Sequence, residues 1–279
     1  ARAGFGRHRT GQPAGDPPHP AAPGPVLGQQ AAQGLGGRTS GFTPPAASMN
    51  VSRSSSYLKR WACSLRKYIN PGKTTGDIVI VGGGRATSNR AKLIERAAIV
   101  VRFNDCKSSC WNNGYRTDIL LINNTGPAAL KYCKANSLAT PFPFKSPWQY
   151  IFVRDIGSHK EHYKKMASFF PEYGADIFED YSAEIVHANR IQPHMLSWIP
   201  HGFSQDLFHQ LEQISSGPFL CPSTGMIGIA WMLMNEQFLD RRIHLIGFSF
   251  AGWEAHPWPA ERELVLQQVR LGRCVLHPP

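Results

Sequence analysis

The run Trp253-Glu254-Ala255-His256-Pro257-Trp258-Pro259-Ala260-Glu261 sets one histidine between two tryptophans, with four residues between it and a carboxylate. An imidazole exchanges its proton near neutral pH, so His256, with Glu261 behind it, suits general-base work on a hydroxyl. A loop histidine can equally be a packing group, and with eleven histidines in the chain position has to choose between them. A second group of polar residues is Pro222-Ser223-Thr224-Gly225, which opens onto the apolar stretch Met226 to Met234. Ser223 or Thr224 is suited to cap a helix there. The same N-terminal turn, with two hydroxyls, a glycine and unpaired backbone N–H groups, is also suited to an anion or a nucleotide.

Glycines mark two further places. Gly82-Gly83-Gly84 follows the β-branched run Asp77 to Val81 and allows a phosphate or sugar to approach the backbone closely; a plain tight turn reads the same way. Gly247 closes the run Arg242 to Ile246. Between them, Val100 to Asp105 ends in Asn104, which both donates and accepts and so fits a base or ribose edge, or simply a turn. Gly82, Gly84 and Thr87 approximate a dinucleotide fingerprint with Asp105 as the ribose-binding acid, whereas the Walker pattern is absent.

These residues need elements to hold them. Asp77–Val81, Ala98–Phe103, Asp118–Ile122, Gln149–Val153 and Arg242–Ile246 read as five strands. Helical character falls on Ser88–Arg96, Thr125–Ala135, His159–Phe169, Phe203–Ser215, Gly225–Met234 and Ala260–Leu271, while Pro171–Ser197 is ambiguous. Strands alternating with helices at this spacing predict an α/β domain with a mostly parallel sheet flanked by helices, a Rossmann-like fold whose ligands sit at the carboxyl ends of the strands.

Composition narrows the partners. The chain of 279 residues carries a formal charge of +11, but residues 1–76 hold ten Lys and Arg against one Asp, so the remainder is nearly neutral. That argues against a groove for a nucleic-acid backbone. Residues 1–48, with 8 of the 22 prolines, have too little apolar material to repay folding and read as a disordered or non-native extension, Met49 being a candidate start. Residues 49–76 form a basic leader in which 54–69 has amphipathic helical spacing, suited to packing on its own domain or to peripheral contact with an anionic membrane. Residues 77–279 make a single α/β domain. No apolar run reaches the length of a membrane span. The six scattered cysteines suit a reducing, cytoplasmic setting, and Cys106 with Cys110 lacks the second pair a metal site needs.

Taken together, the motifs resemble the sialyltransferases of glycosyltransferase family 29. Ile80 to Asn104, with "VGGG", Ser88 and "VRFN", is similar to the large sialyl motif. Pro222 to Phe248, from "PSTGMIGIAWMLM" to "IHLIGF", is similar to the small one, and His256 to Glu261 resembles the family's His-x-x-x-x-Glu. The resemblance implies a glycosyltransferase A-type variant that needs no metal or other cofactor. It also implies inverting transfer of a sugar from a CMP-sugar donor to a glycan acceptor hydroxyl.

By the same resemblance Asn104, Ser223, Thr224 and Gly225 hold the nucleotide and His256, with Glu261, acts on the acceptor; Gly82, Gly83, Gly84, Ser88 and Gly247 are the further nucleotide-binding candidates. The chain departs from the pattern in four ways. Gly83 stands where the family has Asn, and Ile78 and Asp240 where it has a cysteine pair. No membrane anchor precedes the domain, and one compact loop replaces two histidine motifs. These departures suit a divergent, bacterial-type relative in the cytoplasm, possible inner-membrane contact included. Two other readings remain: an NAD(P)-binding oxidoreductase, and a nucleotide-binding accessory protein without turnover.

Overall fold

In the computed structural model, the described residues are 76–84, 89–106, 112–138, 147–154, 170, 177, 179–235 and 238–278. The expected extension at 1–48, the amphipathic stretch 54–69, Ser88 and the helix over 159–169 lie outside them. All described residues belong to one compact unit, Ala47–Pro279.

Four of the runs rich in branched apolar residues are buried along their whole length, as strands covered on both faces must be. They are β1 (Ile78–Val81), β3 (Ile119–Ile122), β4 (Gln149–Phe152) and β6 (Ile243–Ile246). β2 (Ile99–Phe103) joins them with a charge at its fourth residue. Arg102 is fully buried there because its guanidinium donates to the carbonyls of Asn113, Gly114 and Arg116, at 2.6, 3.0 and 2.9 Å. Two short strands, β5 (Leu196–Trp198) and β7 (Cys274–Leu276), bring the sheet to seven where the sequence predicts five. Both are three-residue edge strands.

All strands are parallel, in the order β5-β4-β3-β2-β1-β6-β7. Alternate residues of each strand serve different faces. Ile78, Ile80, Ile99, Val101, Ile119, Leu121, Ile151 and Leu245 pack with α4 (His201–Ile214), α5 (Thr224–Met234) and α6 (Trp258–Arg270). The other face divides. Val79, Val81, Val100 and Ile246 meet α1 (Ala91–Arg96), whereas Leu120, Ile122, Tyr150 and Phe152 meet the short α2 (Pro127–Leu130), the 3-10 turn Lys131–Cys133 and α3 (Ser182–Asn189).

Several helix boundaries differ from expectation. α1 begins at Ala91 rather than at Ser88; the helix expected over Thr125–Ala135 starts only at Pro127, after Gly126 at φ 71°, and tightens to 3-10 by Lys131; α4 and α6 each start two residues early, α6 because Pro259 fits a first turn, and α5 one residue early. Within the ambiguous stretch Pro171–Ser197, residues 182–189 are α3.

The connection order places the site. From β1 the chain builds outward through β2 to β5, then returns to lay β6 on the opposite side of β1. The crevice between the carboxyl ends of β1 and β6 is therefore the topological switch point, where sheets of this class bind ligands.

Candidate active site

A cleft of about 470 Å³ opens at that switch point. It is lined by the loops after β1, β2 and β6, by the N-terminus of α5, and by His256 and Trp258. α5 is apolar all round and nine of its eleven residues are buried, so its first turn must be satisfied within the protein. Ser223 does this as N-cap: its extended backbone turns the hydroxyl back to accept from the Met226 N–H at 3.0 Å. The Ser223 hydroxyl in turn donates to Glu261 Oε2 at 2.7 Å, and the Ser223 N–H donates to Oε1 at 2.6 Å. Thr224 and Gly225 line the cleft beside it.

Glu261 is buried to 1% exposure in the first turn of α6 and is not among the lining residues. Burial pushes its carboxyl above the ordinary range, opposed by the two Ser223 hydrogen bonds. Both carboxylate oxygens are thus committed to the turn.

His256 does line the cleft. Its Nδ1–H donates to the Cys221 carbonyl at 2.8 Å, which leaves the lone pair of the neutral ring on Nε2. The rings of Trp253 and Trp258 meet it edge-on at 4.8 and 5.1 Å, and Trp258 Nε1 donates to the Trp253 carbonyl at 2.8 Å. Burial pushes the imidazole below its ordinary pKa, against the Cys221 hydrogen bond and the Glu261 charge. The ring is therefore neutral and of fixed tautomer at pH 7, as a base must be before it acts.

The glycines divide into two kinds. A Cβ on Gly82 or Gly84 would stand 2.5 or 2.7 Å from the Gly247 carbonyl oxygen, so these residues are small because the β1 and β6 loops interlock. The lock is sealed by Gly84 N–H donating to Gly247 O at 2.9 Å, and Gly247 itself sits at φ 72°. Gly83, by contrast, faces open space. Across the cleft Asn104 adopts φ 55°, its side-chain oxygen accepting from the Asn123 N–H at 2.9 Å. Asp105, the acid a bound dinucleotide would need, is paired with Lys131 at 3.1 Å.

The structure thus brings Gly82, Gly83, Gly84, Asn104, Ser223, Thr224, Gly225, Gly247 and His256 to one cleft and sets Glu261 beneath its floor. Sequence reasoning passes over three neighbours. Lys131 reaches the rim from the 3-10 turn. Arg154, 5% exposed, donates through Nη2 to the Pro222 carbonyl at 3.0 Å and to Cys221 Sγ at 3.2 Å. Cys221 is itself buried, its thiol pushed up by burial. The available signal for Arg154 was a lone cation closing an apolar run, "QYIFVR", in the manner of "IVVR" at 99–102. Among the described residues no group of His, Cys, Asp and Glu is arranged to hold a metal, and no helix is long and apolar enough to cross a membrane.

No family model matches the chain. A curated relative, the urease operon 23 kDa accessory protein of Rhizobium meliloti (strain 1021), is 30% identical over 202 residues, which cover 72% of this chain and 93% of the relative. Two solved structures of a mammalian sialyltransferase, one in complex with Gal-β-1-3GalNAc-ortho-nitrophenol, align over 82% of this chain and 86% and 82% of theirs. Their TM-scores are 0.47 and 0.46, at 14% identity.

Proposed function

From the premise that the chain belongs to the family of the urease operon 23 kDa accessory protein, we propose that its own cleft works as a glycosyltransferase site of the sialyltransferase kind. It moves a sugar from a CMP-sugar to an acceptor hydroxyl. The observation that carries this reading is the meeting, in one cleft at the switch point, of a capped but ligand-accessible helix N-terminus at Ser223–Gly225 and a neutral His256 whose Nε2 is open for a proton.

The chemistry follows from those two groups. The donor phosphate lies against the first turn of α5, where backbone N–H groups and the helix dipole favour negative charge. Nε2 of His256 takes the proton of the acceptor hydroxyl as its oxygen attacks the anomeric carbon. The anomeric carbon–oxygen bond to the phosphate breaks on the opposite side, its electron pair leaves on CMP, and the configuration inverts. Hydrogen bonds to that phosphate strengthen as its charge grows, which is where rate is gained.

The test is a thermal titration of the chain with CMP, CDP, UDP and NAD, since a ligand of the native state raises Tm. CMP is expected to stabilise selectively, less so in Ser223→Ala, and CMP release from CMP-sialic acid with a galactoside acceptor is expected to vanish in His256→Ala while CMP binding remains. Indifference to every cytidine nucleotide, or a response to NAD alone, would sink the reading. The accessory role in the relative's name supports a second reading, a nucleotide-responsive partner protein. Stabilisation by CMP with no turnover on any CMP-sugar would favour it.

A further inference from the structure

One peptide group behind the cleft is gripped at both ends by opposite charges. The carbonyl of Pro222 accepts from Arg154 Nη2 at 3.0 Å, and the N–H of the same peptide, on Ser223, donates to Glu261 Oε1 at 2.6 Å. Both side chains are more than nine-tenths buried. A guanidinium at the carbonyl end and a carboxylate at the N–H end each complement the peptide dipole, and each lies where a lone buried charge would be costly.

Arg154 is held in turn. Its backbone N–H donates to Asn124 Oδ1 at 3.1 Å and its carbonyl accepts from Asn124 Nδ2 at 3.0 Å. The same Nδ2 group bonds Asp180 and Ser182, so the end of β4 is anchored on the far side. One residue upstream of the gripped peptide, the Cys221 carbonyl receives the His256 Nδ1–H.

We propose that Arg154 and Glu261 form a charge pair bridged by the Pro222–Ser223 peptide, and that Arg154 is a positioning residue that holds the Cys221 carbonyl and thereby the His256 tautomer with Nε2 open to the cleft. Glu261 is then the counter-charge of a buried guanidinium, not a group that moves protons. As a contribution to transfer this rests on His256 being the acting base; as a statement about the turn it stands without it. The charged groups facing His256 are Glu261, which favours the protonated ring, and Arg154, which disfavours it, and the Cys221 thiol lies 4.0 Å from Nδ1.

The two charges therefore make opposite predictions for one observable. NMR titration of the His256 imidazole in the full chain is expected to move up in pH in Arg154→Met and down in Glu261→Gln, and to return near the wild-type value in the double variant. Each single variant is expected to lower Tm by roughly 5 °C or more, because it strands a buried charge, and the double by less than the sum. If Arg154→Met does not fold, Arg154→Lys and Glu261→Gln carry the test. Arg154→Lys keeps the charge, so the imidazole titrates as in the wild type, while Glu261→Gln lowers it. Shifts of the same sign in the two single variants, no shift in Glu261→Gln, or strictly additive losses of Tm would overturn the proposal. A wild-type chain that ignores CMP yet shows the opposed shifts would fail only the transferase reading.

Discussion

Ser223 makes three hydrogen bonds with one small side chain and its own N–H, and the loss of the hydroxyl removes two of them. Ser223→Ala is expected to cost the cap, about 1 kcal/mol, and to strand one oxygen of the buried Glu261, on the order of 1–3 kcal/mol more. Urea unfolding at pH 7 should thus show a loss of roughly 2–4 kcal/mol, with Ser223→Thr retaining most of the stability. His256 supplies a pH signature. Its folded pKa is below 6.5, so the unfolded chain binds the proton more readily. The stability it contributes is present above pH 6.5 and is lost as pH falls from there through the folded value. Glu261, raised above 4.5, has the opposite sign: its contribution is present below 4.5 and is lost as pH rises through the folded value. Taking the difference between wild type and His256→Gln isolates the imidazole. The gap in urea midpoint is expected to change in the variant's favour between pH 7 and pH 5, and a gap independent of pH would contradict it.

Helix α5 must lie close to the sheet for its first turn to reach the cleft, and Gly228 sets that distance. A Cβ there would stand 2.5 Å from the Phe103 ring and 2.9 Å from Leu121 Cδ2. Gly228→Ala should gain about 1 kcal/mol of helix propensity but lose roughly 1–3 kcal/mol to overpacking, a net destabilisation that also lifts Ser223 from the β6 loop. Gly202, exposed in α4 with nothing near its Cβ position, is the control; Gly202→Ala should leave stability unchanged or raise it by a few tenths of a kcal/mol. Thermal melts of the two variants check both. The five strands announced in the sequence are the ones whose branched residues face apolar neighbours on both sides, which makes them continuous runs. β5 and β7 are edge strands three residues long, and "LSW" and "CVL" carry no periodicity to find. In the site, the turn at Ser223 and the His256 loop were readable because each is a local pattern. Arg154 was not, because its partners lie 67 and 68 residues away and its role exists only once β4 is set in the sheet.

Across the whole molecule the sheet is built in two directions from β1, and the loops after β1 and β6 meet at the cleft between those strands. Register fixes how they meet: Val81 pairs with Ile246, so Gly82 and Gly247 leave the sheet side by side. Gly82 N–H donates to Ile246 O at 2.8 Å, continuing the ladder one step beyond the strands. A side chain on Gly82 would strike the Gly247 carbonyl, which is backbone and cannot turn aside. Gly82→Ala is therefore expected to cost several kcal/mol, on the scale of an overpacked core, and to weaken any ligand that needs the interlocked loops. Gly83 is the opposite case, with nothing within 4 Å of its Cβ position and the cleft before it. Gly83→Asn should fold with a Tm within about 2 °C of the wild type, as surface substitutions generally do. It adds an amide that donates and accepts at the cleft floor. If the floor takes a nucleotide, this variant should bind CMP more tightly than the wild type in calorimetric titration, while Gly82→Ala binds it less well. Equal affinity in Gly83→Asn and the wild type would mean that the ligand does not reach the β1 loop, and would move the nucleotide toward α5 and the β6 side of the switch point.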